Sequence, residues 1–166
     1  MQSSLKNECP SVRWESSHKL HVTLKFLGDV LPQKLQQIQT LLLDNLCGMK
    51  QFPVTLSVVG SFPNTRSPRI IWIGSPGSDN SPLIECAEAV ERLCTAAGLK
   101  SDERKFQPHI TLGRGKGKIP DNLIKMIETI TFEPIQFFCT ELLVMKSNLS
   151  PSGSAYSQLF TIPLKY

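Results

Sequence analysis

His109-Ile110-Thr111-Leu112, within residues 107–114, repeats an earlier stretch of the same chain, His21-Val22-Thr23-Leu24, within residues 20–28. Both copies alternate apolar and polar residues at the period of a β-strand. In the first, Leu20, Val22, Leu24 and Phe26 share one face and His21, Thr23 and Lys25 the other. In the second, Ile110 and Leu112 oppose His109, Thr111 and Gly113. A strand that buries its apolar face against helices offers an imidazole and a hydroxyl, two residues apart, to whatever lies over its other face.

Two such strands side by side surround one cavity with two imidazoles and two hydroxyls. That set suits phosphoryl chemistry without a metal, one imidazole taking a proton while the other gives one. A single H-x-T is a weak signal, since either histidine alone reads more readily as a half-buried strand residue tied to a backbone carbonyl. The duplication is more specific: both copies are followed by Leu, and together they use two of the three histidines.

At 166 residues, 40% hydrophobic and 19% charged, the chain reads as one globular domain. No apolar run approaches the roughly 18 residues needed to span a membrane. Residues 1–10 are polar and lack the apolar core of a signal peptide. Cys9, Cys47, Cys86, Cys94 and Cys139 are odd in number and scattered, without a C-x-x-C pair. They read as small buried hydrophobes of a reducing cytoplasm, and the histidines and cysteines lack zinc-ligand spacing. The net charge of +4 is too small to signal nonspecific DNA coating. Its distribution is more telling: Arg104, Lys105, Arg114, Lys116 and Lys118 bracket the second motif, a rim suited to a phosphate or a short nucleic acid, or else a solvated basic loop.

Along the chain, the alternation predicts a first motif strand over 20–27. Pro32 and the spacing of Leu35, Ile38, Leu42 and Leu46 then predict a helix over 32–47. Strands are expected at 52–59 and 69–74, and Ser81-Pro82 opens a helix over 82–97 with Gly98 closing it. After the second motif strand come the basic link 113–118, a helix over 120–129, strands at 132–139 and 141–145, and a last strand near 156–164. The Gly-rich link lacks the phosphate-cradling G-x-x-x-x-G-K-[ST] pattern. The second half thus runs strand, helix, motif strand, helix, strand, whereas the first begins at its motif strand with only 20 residues before His21. The internal symmetry calls for a strand and a helix ahead of His21.

The stretches Trp14…His21-Val22-Thr23-Leu24-Lys25-Phe26-Leu27-Gly28, Pro68-Arg69-Ile70-Ile71-Trp72-Ile73-Gly74 and Phe106-Gln107-Pro108-His109-Ile110-Thr111-Leu112-Gly113-Arg114 resemble the 2H phosphoesterase superfamily. Within it they are closest to the bacterial and archaeal RNA 2′,3′-cyclic phosphodiesterase branch, historically called 2′-5′ RNA ligase. The segment 143–164, with Ser147, Gly153 and Tyr156, is similar to that branch too.

The resemblance implies a single α+β domain over residues 1–166, two-lobed and pseudo-symmetric. Antiparallel sheets would carry outer helices, and the H-x-T strands would line a central groove. It implies hydrolysis of an RNA 2′,3′-cyclic phosphate to a 2′-phosphate without metal or cofactor, with reversible 2′-5′ joining credited to some members. His21 would be the proton donor and His109 the acceptor, roles the sequence alone leaves open. Thr23 and Thr111 would bind the phosphate, Arg114 could add charge to the same oxygens, and Lys25 is a weaker candidate. Phe62, Trp72 and Tyr156 could stack on a base or belong to the core. Members usually start with a strand and a helix that are missing here or reduced to residues 4–10, which would leave a raw sheet edge and a bare patch. The expected protein is a cytoplasmic monomer, acting on RNA with a cyclic end or a related nucleotide, with no membrane partner. The same four residues would also serve a phosphodiesterase of small nucleotide-type cyclic phosphates, or a module that holds nucleotides or RNA ends without turnover. The intact pair of imidazoles disfavours the last.

Overall fold

The computed structural model describes residues 11–64, 68–76, 80–115, 117, 119–150 and 153–166. Expectations for residues 4–10, Cys9, Lys116, Lys118 and the turn tips at 65–67, 77–79 and 151–152 lie outside the described residues. The chain divides into two compact units.

The first unit gathers Met1–Thr23, Thr55–Ser81 and Gln107–Gln136. It is built on a four-stranded antiparallel sheet of β1 (Val12–Trp14), β5 (His109–Gly115), β4 (Ile70–Gly74) and β3 (Val58–Phe62), in that spatial order. Strand β4 reads Ile-Ile-Trp-Ile, β-branched and aromatic residues that suit a strand covered on both faces. Ile71, Trp72 and Ile73 are all buried. One face of the sheet carries Val12, Ile71 and Ile73 and is continuous with Ile119, Leu123 and Ile127, which the segment around helix α3 (Asp121–Thr129) contributes at spacings of four. Asn80 is fully buried and closes its polar demands locally: its amide donates to the Thr55 carbonyl and Ser75 Oγ, and its oxygen accepts the Thr55 N–H.

The second unit, Leu24–Val54, Pro82–Phe106 and Phe137–Tyr166, holds helices α1 (Pro32–Leu46) and α2 (Ser81–Ala96) and the long hairpin of β7 (Glu141–Ser150) and β8 (Gly153–Pro163). Pro32 stands at the first turn of α1, where its missing N–H would have had no intrahelical partner. Ile38, Leu42 and Leu46 form its buried stripe. Helix α2 ends in a left-handed Gly98 (φ +87°), with Leu99 N–H donating to the Cys94 carbonyl and Gly98 N–H to Thr95, a Schellman cap. Lys34 Nζ adds a cation at that C-terminus, 2.6 Å from the Ala97 carbonyl. Burial, and after it the neighbouring Cys139, pushes the Cys86 thiol up to about 12, so it behaves as a small hydrophobe.

The expected strand at 52–59 is two strands, β2 (Phe52–Leu56) and β3, parted at Ser57, whose N–H donates to the Gly74 carbonyl. Strand β2 pairs instead with β6 (Ile135–Cys139). Among the described residues no helix is long and apolar enough to cross a membrane.

Candidate active site

Both H-x-T copies belong to the first unit, and they meet. The second copy is the start of β5, between β4 and β1. The first copy is not a strand over 20–27; a single antiparallel bridge, Val22 to Ile110, joins it to β5. The alternation also fails past Thr23. The Lys25 side chain is only 4% exposed while Phe26 is 81% exposed, the reverse of the expected faces. The cause is a competing partner: Lys25 Nζ sits 2.6 Å from Glu91 Oε2 and 3.1 Å from the Lys100 carbonyl. Lys25, the weaker phosphate candidate, is therefore committed to an ion pair in the second unit. Glu91 also accepts the Asp102 N–H and the Thr95 hydroxyl. Burial acts to raise its pKa, but the hydrogen bonds from Lys25 and the Asp102 amide prevail and hold the carboxyl below its ordinary range.

An antiparallel Val22–Ile110 bridge sets His21 beside Thr111 and Thr23 beside His109. The two imidazoles thus occupy one diagonal of a square and the two hydroxyls the other. Diagonal positions in such a pair lie roughly 7–8 Å apart, leaving room for a tetrahedral group between two imidazoles. Each ring is oriented in the same way. His21 Nδ1 lies 2.6 Å from the Lys19 carbonyl and His109 Nδ1 2.8 Å from the Gln107 carbonyl, the residue two before in each case. A carbonyl only accepts, so Nδ1 carries a hydrogen in both rings. Among the described residues, neither the Thr23 nor the Thr111 hydroxyl has a hydrogen-bond partner. His21 is exposed and His109 half-buried.

Strand β5 contains a bulge that alternation could not anticipate. Its residues pair with β4 as His109 to Gly74, Ile110 to Ile73 and Thr111 to Trp72, but then Gly113 to Ile71 and Arg114 to Ile70. Leu112 is the extra residue, so the parity changes. Strict alternation would turn Arg114 away from His109 and Thr111; the bulge returns it to their face. There its Nε lies 3.5 Å from Glu15 Oε1, with the side chain 53% exposed.

The same face carries an aromatic seat for His109. Trp72 is 7% exposed and lies across Gly60 and Gly74, where a Cβ at Gly60 would fall inside the indole. The Phe62 ring stands 5.2 Å from Trp72 and 5.0 Å from His109, edge-on to the imidazole at 84°. Trp72 is 6.2 Å from His109. Trp72 is therefore the wall of the site rather than an open stacking surface, Phe62 is the half-buried ring beside it, and Tyr156 belongs to the second unit. Glu15 and the glycine-floored seat were not identified from the sequence; the one available signal was the alternation of Gly60, Phe62, Trp72 and Gly74 at the strand period. Of the expected basic rim, Arg104 is bound to Asp102. Among the described residues no group of three or more His, Cys, Asp or Glu is placed to hold a metal ion.

The family model described as the 2′-5′ RNA ligase superfamily matches residues 12–150. A Thermotoga maritima protein named RNA 2′,3′-cyclic phosphodiesterase is 36% identical, over 89% of this chain and 76% of its own. A relative of the same name from Methanothermobacter thermautotrophicus is 31% identical, over 96% and 86%. A solved phosphoesterase superposes with a TM-score of 0.72 at 26% identity, over 94% of this chain and 83% of its own. The fold also matches E. coli LigT complexed with 3′-AMP, with a TM-score of 0.75 at 24% identity, over 99% and 89%. A match that runs through both H-x-T copies and most of the chain leaves one conclusion: this protein belongs to the 2′-5′ RNA ligase superfamily.

Proposed function

We propose that this protein hydrolyses RNA 2′,3′-cyclic phosphate ends to 2′-phosphates by a two-histidine acid–base mechanism that needs no metal or cofactor. The observation that carries this reading is the diagonal square at the Val22–Ile110 bridge, with both Nδ1 atoms committed to carbonyls. Relatives named RNA 2′,3′-cyclic phosphodiesterase support the substrate class.

Hydrolysis breaks the P–O3′ bond of the cyclic ester and forms a new P–O bond to water. His109 Nε2 takes the proton of the attacking water, and His21 Nε2 delivers one to the departing 3′ oxygen, leaving a 3′ hydroxyl and a 2′-phosphate. Placing the imidazoles on opposite corners suits in-line displacement, because nucleophile and leaving group lie on opposite sides of phosphorus. Thr23 and Thr111, on the other diagonal, donate hydrogen bonds to the non-bridging oxygens as charge builds on them. Arg114 adds a cation on the same face, steadied by Glu15. With an RNA 5′ hydroxyl in place of water, the same groups form a 2′-5′ phosphodiester: the P–O3′ bond again breaks, His109 takes the proton of the 5′ hydroxyl and His21 protonates the 3′ oxygen, and microscopic reversibility lets the same pair cleave that bond back to the cyclic end.

The test is turnover of an oligoribonucleotide ending in a 2′,3′-cyclic phosphate, in excess EDTA, for wild type, His21→Ala and His109→Ala. Formation of a 2′-phosphate that persists in EDTA and is lost in both variants is the expected result. Loss of wild-type activity in EDTA, or binding of the RNA end without turnover, refutes it.

A further inference from the structure

The row of side chains next to the His/Thr square holds two arginines. Arg13 of β1 is the direct cross-strand partner of Arg114, which pairs on its other side with Ile70. Directly opposed residues share a face, so Arg13, like Arg114, stands on the side of His109 and Thr111. The burial agrees: Val12 is buried and Trp14 half-buried on the helix-covered side, while Arg13 is exposed. Glu15, two residues beyond Arg13 in sequence, reaches Arg114, its Oε1 3.5 Å from the Arg114 Nε.

Like charges set directly opposite each other in an antiparallel pair oppose folding. Here the β5 bulge creates that opposition, because without the extra Leu112 the Arg114 guanidinium would sit on the other face. The result is a pair of arginine positions set against Ile70, two β4 residues from the Trp72 that faces Thr111, a backbone spacing of roughly 6.6 Å at about 3.3 Å per residue. That is the scale of one repeat of a nucleotide backbone. Guanidinium forks match the two non-bridging oxygens of a phosphodiester.

We infer that Arg13, with Arg114 beside it, forms a second phosphate subsite, which binds the phosphodiester on the 5′ side of the nucleotide whose cyclic phosphate reacts. This rests on the hydrolase reading above and narrows its substrate to the ends of RNA chains rather than cyclic mononucleotides. Arg114 lies close enough to Thr111 to serve both phosphates; Arg13, on the outer strand, serves the second alone.

The experiment compares kcat/KM for a 2′,3′-cyclic mononucleotide and for a dinucleotide with the same cyclic end, which differs by one phosphodiester and one nucleoside. Wild type is expected to prefer the dinucleotide by about tenfold or more, mainly through KM, with the preference shrinking as salt rises. Arg13→Ala and Arg13→Glu are expected to bring the ratio of the two substrates to within two- to threefold of unity, and Arg13→Lys to restore part of it. Arg114→Ala is expected to lower both substrates together. Equal handling of both substrates by wild type overturns the subsite, and so does an Arg13→Ala loss that leaves the ratio unchanged. Equilibrium binding of the ring-opened 2′-phosphate mono- and dinucleotides tests the same ratio without turnover. A protein that binds the longer product through Arg13 but turns over neither substrate refutes the hydrolase reading and keeps the subsite.

Discussion

The two H-x-T copies are alike as sequence and unlike as structure. The second opens β5, hydrogen-bonded on one side to β4 and on the other to β1, and its imidazole rests against Phe62 with Trp72 behind. The first hangs on one bridge, with a 3-10 turn at Ser17–Lys19 just before it and a departure into the second unit just after. Yet both rings present Nε2 in the same way, because each motif carries its own carbonyl two residues upstream to hold Nδ1. The duplicated motif therefore encodes the orientation of its imidazole locally, and leaves the fold to decide how firmly that imidazole is walled in.

The largest expected effect probes what the copies share. His21→Ala and His109→Ala should each lower turnover of a cyclic-ended oligoribonucleotide by on the order of a hundredfold or more. Thr23→Ala and Thr111→Ala should cost less, about tenfold each, since one neutral donor to a charged oxygen is removed while the acid and base remain. Comparable losses for the two threonines are expected if the diagonal arrangement holds; a loss at one alone breaks the symmetry of the square.

Smaller effects separate the copies. Gly60→Ala drives a Cβ into the Trp72 indole and should cost about 1–3 kcal/mol in denaturant unfolding. It should lower kcat through His109, while an aromatic replacement, Trp72→Phe, retains most of the activity. The first copy depends instead on the Lys25–Glu91 pair two residues beyond Thr23. Glu91→Gln leaves a buried ammonium without its counter-ion and should destabilise the fold by about 1–3 kcal/mol at neutral pH. Because the folded protein holds this carboxyl below its ordinary value of 4.5, its contribution is present above that value and is lost as pH falls through the lowered one. The gap between wild type and Glu91→Gln, measured as unfolding free energy against pH, should close on acidification below about 4.5 and stay constant above it.

Much of this was legible in the residues. The paired motifs, the helices opened by Pro32 and Ser81-Pro82 and the apolar β4 all follow from local rules, because periodicity and caps act over a few residues. What was not legible depends on partners distant in sequence. Alternation read Lys25 as exposed and Phe26 as buried, and Glu91, 66 residues away, reversed both. It turned Arg114 from the site, and the extra Leu112, visible only against the register of β4, returned it. It could not tell a strand from a bridge at 20–27, since an apolar–polar alternation says which residues share a face and not how many neighbours the segment will pair with.

In the proposed mechanism His21 and His109 act as one acid–base pair across a single phosphate. The most direct test is the turnover of a cyclic-ended oligoribonucleotide by His21→Ala, His109→Ala and the double variant. Groups that act as a unit lose most of their effect when either is removed. The double variant is expected to be within about tenfold of the slower single variant. Independent losses that multiply, or near wild-type turnover in either single variant, would contradict it.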